Sequence, residues 1–127
     1  MKRLTLSLAA AALCLSAVPL VAQEPAPEAA LPTLNLDQRM LLRCSATFAL
    51  VAFRQEAGVD WAVALPPMGE RGREFFVRTS ALLMDEAGIG PDTLDLLLSR
   101  EAESIVAANQ VEAMMPLCLN LLDQTGL

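Results

Sequence analysis

Between Arg43 and Arg54 the chain carries ten residues, CSATFALVAF, without a charge, and only Ser45 and Thr47 break the apolar run. Leu41, Cys44, Phe48 and Val51 follow the three-four spacing of a helix, and a helix apolar on nearly every side is one enclosed by others. The pattern predicts a first, central helix from about Leu36 to Ala57, with Asn35 as N-cap, Gln38 in the third helical position reaching back to it, and Gly58 ending it. Phe76, Ser80, Leu83 and Ala87 on one stripe, with Phe75 and Leu82 beside it, predict a second helix from Glu70 to Ala87 that stops at Gly88. A third opens at Pro91, with Asp92 near its N-terminal dipole. Leu94, Leu97, Leu98, Ile105 and Val106 mark its buried side, and Arg100, Glu101 and Glu103 are expected to face water. A fourth begins at Asn109, with Glu112 completing an Asn-x-x-Glu cap; Val111, Met114, Cys118, Leu121 and Leu122 form its stripe, and Gly126 ends it. Pro116 is expected to kink or restart this helix, because it removes a backbone donor and crowds the preceding turn.

The segment Val59 to Gly69 reads as a loop or a short irregular piece, since Pro66 and Pro67 forbid regular continuation. Trp61, the sole tryptophan, is expected to lid the core rather than to anchor a partner. No strand-like alternation of useful length and no internal repeat is present. The expected fold is therefore all-α, a small four-helix orthogonal or bundle-like domain.

The first residues carry a different pattern. Lys2 and Arg3 precede an uncharged apolar run from Leu4 to Ala22, the layout of a cleavable secretory signal with its cut after Ala22. An uncleaved membrane anchor is the competing reading, and the Ala-rich run broken by Pro19 and followed by Gln23 and Glu24 favours cleavage. Residues 23–34 then read as a Pro/Ala/Glu-rich linker, leaving residues 35–127 as the domain. No later segment is long and apolar enough to cross a bilayer, so no stable membrane insertion is expected after cleavage, and the expected location is periplasmic or secreted.

Removal of the signal sharpens the composition. The net charge of the whole chain is −6; after residue 22 there are seven arginines against fifteen acidic residues, a formal charge of −8, and no Lys, His or Tyr. Such a balance repels nucleic acid and anionic surfaces, so neither is an expected partner. Without His the chain lacks the usual general base, metal ligand and nucleophile activator, and without Lys it has no Schiff base. Asp92 with Asp95 and Asp85 with Glu86 read as helix-end and surface charges, not as paired catalytic carboxylates. There is no Gly-rich phosphate loop, calcium loop or Cys-x-x-Cys. The expectation is a non-enzyme without a cofactor.

Two cysteines remain beyond the signal, Cys44 and Cys118, and an even count in an exported chain suggests a disulfide. It would staple the first helix to the last. Two separate buried thiols are the alternative, given the apolar neighbours of each. Met114, Met115 and Cys118 are soft enough to ligate copper, but gap-filling methionine in a helical core is the simpler reading. Arg71, Arg73 and Arg78 form the one basic cluster. They are a candidate contact for an anion or a partner, since arginine grips carboxylate and phosphate bidentately. The plainer reading is a solvated face held by Glu70–Arg73 and Glu74–Arg78 helix pairs.

The segments LLRCSATFALV, ERGREFFVRTSALLMDE and MPLCLNLLD resemble those of small exported bacterial helical proteins with two cysteines and no assigned function. A fainter likeness is to periplasmic acid-stress chaperones, also small, helical and tied by one disulfide, although the cysteine spacing here is wider and their lysine-rich ends are absent. Neither resemblance carries over a functional residue. Two functions are therefore expected: a non-catalytic binding or interaction module that meets another envelope protein through an apolar patch rimmed by Arg71, Arg73 and Arg78, or an acid- or envelope-stress chaperone whose fifteen carboxylates lose their charge in acid. Simple packing within a larger envelope assembly is not separable from the first.

Overall fold

Helix α1 (Leu36–Glu56) starts where the local sequence says it should. The Gln38 amide donates to Asn35 Oδ1 at 2.9 Å and the Asn35 amide donates to Gln38 Oε1 at 3.0 Å, a reciprocal capping box. The helix ends in a Schellman motif. Gly58 takes a left-handed φ of 71°, its amide donates to the Gln55 carbonyl, and the Val59 amide donates to the Arg54 carbonyl. The computed structural model describes residues 30–127. The expected signal at residues 1–22, and most of the linker expected at 23–34, lie outside the described residues. Leu34, the last residue of that linker, is buried in the core, so ordered packing begins before the N-cap.

Beyond α1 come α2 (Asp60–Val63), α3 (Arg71–Ala87), α4 (Pro91–Ala107) and α5 (Val111–Gln124). Four long helices and one single turn make the domain all-α, and no strand occurs among the described residues. Helix α1 touches each of the other four, and α3 also touches α4. The charge-free middle of α1 explains this arrangement. Five consecutive residues, Cys44 to Phe48, are buried, and at about 100° per residue they point to every side of the helix. Cover is complete there. It opens at Ala49, which is exposed.

One apolar cluster joins Phe48, Val51, Met68, Phe75, Ile105, Val111, Met115 and Leu122; a second, at the start of α1, joins Leu34, Leu42, Leu83, Ile89 and Leu94. Phe48 and Phe75 meet edge to face, centroids 5.2 Å apart. Cys44 and Cys118 are bonded to each other and fully buried, with Cα atoms 5.2 Å apart, so the first and last helices are stapled across 74 residues.

Several expectations are corrected. Within the segment 59–69, expected as a loop or a short irregular piece, residues 60–63 form the single turn α2 on their own backbone bonds, and Gln55 ties the segment to α1. Its amide nitrogen donates to the carbonyls of Ala62 (3.0 Å) and Pro66 (2.9 Å), and its Oε1 accepts from the Met68 amide at 2.9 Å. Trp61 lies half-buried against the core with the Arg54 guanidinium 5.4 Å from its ring centroid, the place of a lid. The buried stripe of α3 runs through Gly72, Phe75, Thr79 and Leu83, with Ser80 beside it, while Phe76 and Leu82 face outward. The rotation follows from Gly72. A Cβ there would stand 3.0 Å from Phe48 Cβ, so glycine lets α3 come this close to α1 without displacing Phe48. Val106 is likewise exposed.

Asn109 is not the cap of α5. It has a left-handed φ of 52° and closes α4 as a second Schellman turn, its amide donating to the Val106 carbonyl and that of Gln110 to the Ile105 carbonyl. Gln110 is the N-cap, and its side chain does not cap the helix. Helix α5 then continues through Pro116 without restarting. Pro116 and Glu112, whose carbonyl loses its partner, both lie on the exposed side. Glu101 turns from water to Arg43. The Arg43 Nη1 donates to Glu101 Oε1, Nη2 to Gln110 Oε1 at 2.6 Å and Nε to Met114 Sδ at 3.5 Å, one side chain joining α1, α4 and α5.

Candidate functional site

Cover of α1 opens at Ala49, and Ser45, Ala49 and Ala52, spaced i, i+4 and i+7, line one wall of a cleft that runs from buried Ser45 to exposed Ala49 and half-buried Ala52. Opposite them α3 contributes Gly72, Arg73 and Phe76, and the loop held by Gln55 contributes Met68 and Gly69. Between these walls lies a cleft of about 240 Å³, floored by Phe48. Small side chains on both helices, Ala49, Ala52 and Gly72, leave the space; Phe48, Met68 and Phe76 make it apolar. Phe53, one turn on from Ala49, is 70% exposed and extends the apolar surface beyond the cleft.

Two polar groups border this apolar space. Ser45 Oγ is buried and is the one such side-chain oxygen or nitrogen without a hydrogen-bond partner among the described residues. Its neighbour Thr47 shows the usual solution, donating to the carbonyl of Arg43 four residues back at 2.9 Å. Ser45 does not. The second group is Arg73, exposed and without an ion-pair partner among the described residues.

The three arginines of the expected clamp are brought together only in part. They share a second depression, about 360 Å³, with Glu70, Glu74 and Leu127. Arg71 is engaged by α5, its Nη2 donating to Asp123 Oδ1 at 3.0 Å and to the Leu127 carbonyl. Arg78 Nε donates to Glu74 Oε1 at 2.9 Å, the expected helix pair. The expected Glu70–Arg73 pair is not formed. Arg71 and Arg78 are thus each engaged by a carboxylate, whereas Arg73, which lines both spaces, is not.

The other candidates separate. Asp85, Glu86, Asp92 and Asp95 are all exposed, as expected of helix-end and surface charges. Cys118 Sγ is bonded to Cys44, Met114 Sδ accepts from Arg43, and Met115 is buried in the main cluster, so the three soft sulfurs are engaged separately. No group of three or more acidic, cysteine or histidine side chains gathers to hold a metal among the described residues, and no described helix is long and apolar enough to cross a membrane.

The features that matter most here, Ser45, Gln55 and Gly72, were not legible as site residues. Ser45 sits inside a run that looks uniformly buried, and Gln55 acts on partners up to 13 residues away. Gly72 carried a signal, a glycine within a helical pattern, which marks a close approach. No protein-family model, curated protein or solved structure matches this chain, so the cleft stands on its own geometry.

Proposed function

We propose that this chain is an exported, non-catalytic binding module of the cell envelope, and that its working surface is the cleft between α1 and α3. The observation that carries the reading is an open apolar cleft bordered by Arg73, the one member of the basic cluster without a charge partner among the described residues. Outward-facing Phe53 and Phe76 support it, since large apolar side chains around a groove are the usual mark of an interaction surface. The signal-like N-terminus and the staple between Cys44 and Cys118 support an oxidising compartment outside the cytoplasm.

Affinity capture from envelope extract under oxidising conditions tests this reading. The wild-type chain and Leu117→Glu, on the exposed side of α5, should retain the same occupant, and Phe76→Glu in the cleft wall should lose it. Equal recovery by all three, or nothing above background, would reject the cleft as the working surface.

A stress-responsive chaperone is the second reading. Favouring it is the acidic balance of the chain beyond residue 22, fifteen carboxylates against seven arginines. Failure to suppress aggregation of a client protein at low pH would remove it.

A further inference from the structure

The cleft's dimensions restrict what it can take. Ser45, Ala49 and Ala52 span seven residues, roughly 10 Å along α1 at 1.5 Å per residue. Its volume of about 240 Å³ exceeds the roughly 150 Å³ of an apolar cavity that takes up benzene, and falls below the ~300–1,000 Å³ of pockets for drug-sized molecules. An elongated apolar occupant of about that length matches both; a folded peptide segment does not.

The polar groups restrict it further. A buried hydroxyl without a partner costs about 1–3 kcal/mol, so the unbonded Ser45 Oγ marks a place where an acceptor is wanted. Arg73 offers several donors and a charge of the opposite sign to the whole chain, which stands at −6. Arg73 asks for an anion and Ser45 for an acceptor on an otherwise apolar occupant. A second copy of the chain is a poor candidate, because a two-fold contact through this face would bring Arg73 towards its own copy.

We propose that the cleft binds a free medium-chain aliphatic carboxylate, its chain lying along Ala49, Ala52, Met68 and Phe76 and its carboxylate held by Arg73, with Ser45 as a second donor. The inference rests on the binding-module reading and names the ligand class of the same site. Arg73 supplies the charge selectivity, and the small residues on α1 set the chain length.

The test uses the oxidised chain and octanoate, octan-1-ol and butanoate as probes, each below the concentration at which it self-associates. Octanoate should give saturable shifts in the methyl signals of Ala49, Ala52 and Met68, butanoate should bind much more weakly, and octan-1-ol should fall between them. Arg73→Gln, at an exposed position, should weaken octanoate roughly tenfold and leave octan-1-ol unchanged, as loss of one charge-assisted contact implies. Ser45→Ala should weaken octanoate by a smaller factor. Ala49→Phe, also exposed, should fill the cleft and abolish the shifts while the chain stays folded by circular dichroism. Absence of saturable shifts at these methyls overturns the proposal, as does equal octanoate affinity in wild type and Arg73→Gln. If capture from envelope extract still depends on Phe76 after such a result, the binding module stands with another occupant; if that also fails, both readings fall.

Discussion

Opening the bond between Cys44 and Cys118 should remove a large share of this domain's stability. The bridge closes a loop with a sequence separation of 74, for which the chain-entropy relation gives about 4 kcal/mol at room temperature. Set against a total of about 5–15 kcal/mol for a small domain, that is a quarter or more of the whole. Both cysteines are fully buried at the contact of α1 and α5, so reduction also leaves two thiols crowded where one bond stood. The measurement is urea unfolding followed by circular dichroism, with and without reductant, after equilibration through the unfolded state so that the reagent reaches the bridge. Reduction should lower the midpoint and, by letting the unfolded chain expand, raise the slope slightly. In a thermal scan the same loss corresponds to roughly 15–30 °C for a domain of this size. A difference under about 1 kcal/mol, with mass spectrometry confirming two alkylated thiols only after reduction, would refute the loop-closure argument. Labelling of both thiols without reductant would refute the bridge itself.

Three smaller perturbations probe the rest of the architecture. Arg43→Ala removes bonds to Glu101, Gln110 and Met114, and because the guanidinium and its carboxylate are each about a quarter exposed, the loss in urea unfolding should be about 1–2 kcal/mol. Arg43→Lys should recover less than half of it, since an ammonium cannot fork to three partners. Ser45→Ala should raise stability by about 1–2 kcal/mol, by deleting an unpartnered hydroxyl and improving helix propensity; a fall of similar size would mean that the hydroxyl is bonded after all. Gln55→Ala should cost about 1–3 kcal/mol and accelerate hydrogen exchange at the Met68 amide, whereas unchanged protection there would show that the loop holds itself.

Local chemistry determined the limits of the elements. Asn35 and Gln38 cap α1 through bonds three residues apart, Gly58 and Gly88 end α1 and α3 by adopting left-handed φ, and Pro91 opens α4 as first helical residue, so the neighbouring sequence suffices to place each. Cysteine parity and the charge-free stretch 44–53 likewise anticipated the staple and the central helix. Where one residue type serves two local purposes, sequence alone was insufficient. Asn109 could cap the helix after it or close the helix before it, and the chain path between α4 and α5 selected the second. The sequence pattern put Phe76 on the buried stripe with Phe75 beside it; the close approach of Gly72 to Phe48 buried Phe75 and turned Phe76 into a cleft wall. The arginine cluster was visible in the sequence. Its division into engaged Arg71, helix-paired Arg78 and unpartnered Arg73 depended on Asp123 and Leu127, more than 50 residues away. The cleft itself is a tertiary product: whether Ser45, Ala49 and Ala52 are covered depends on where α3 crosses α1, and crossing is set by the fit of two surfaces, which no single stretch of chain contains.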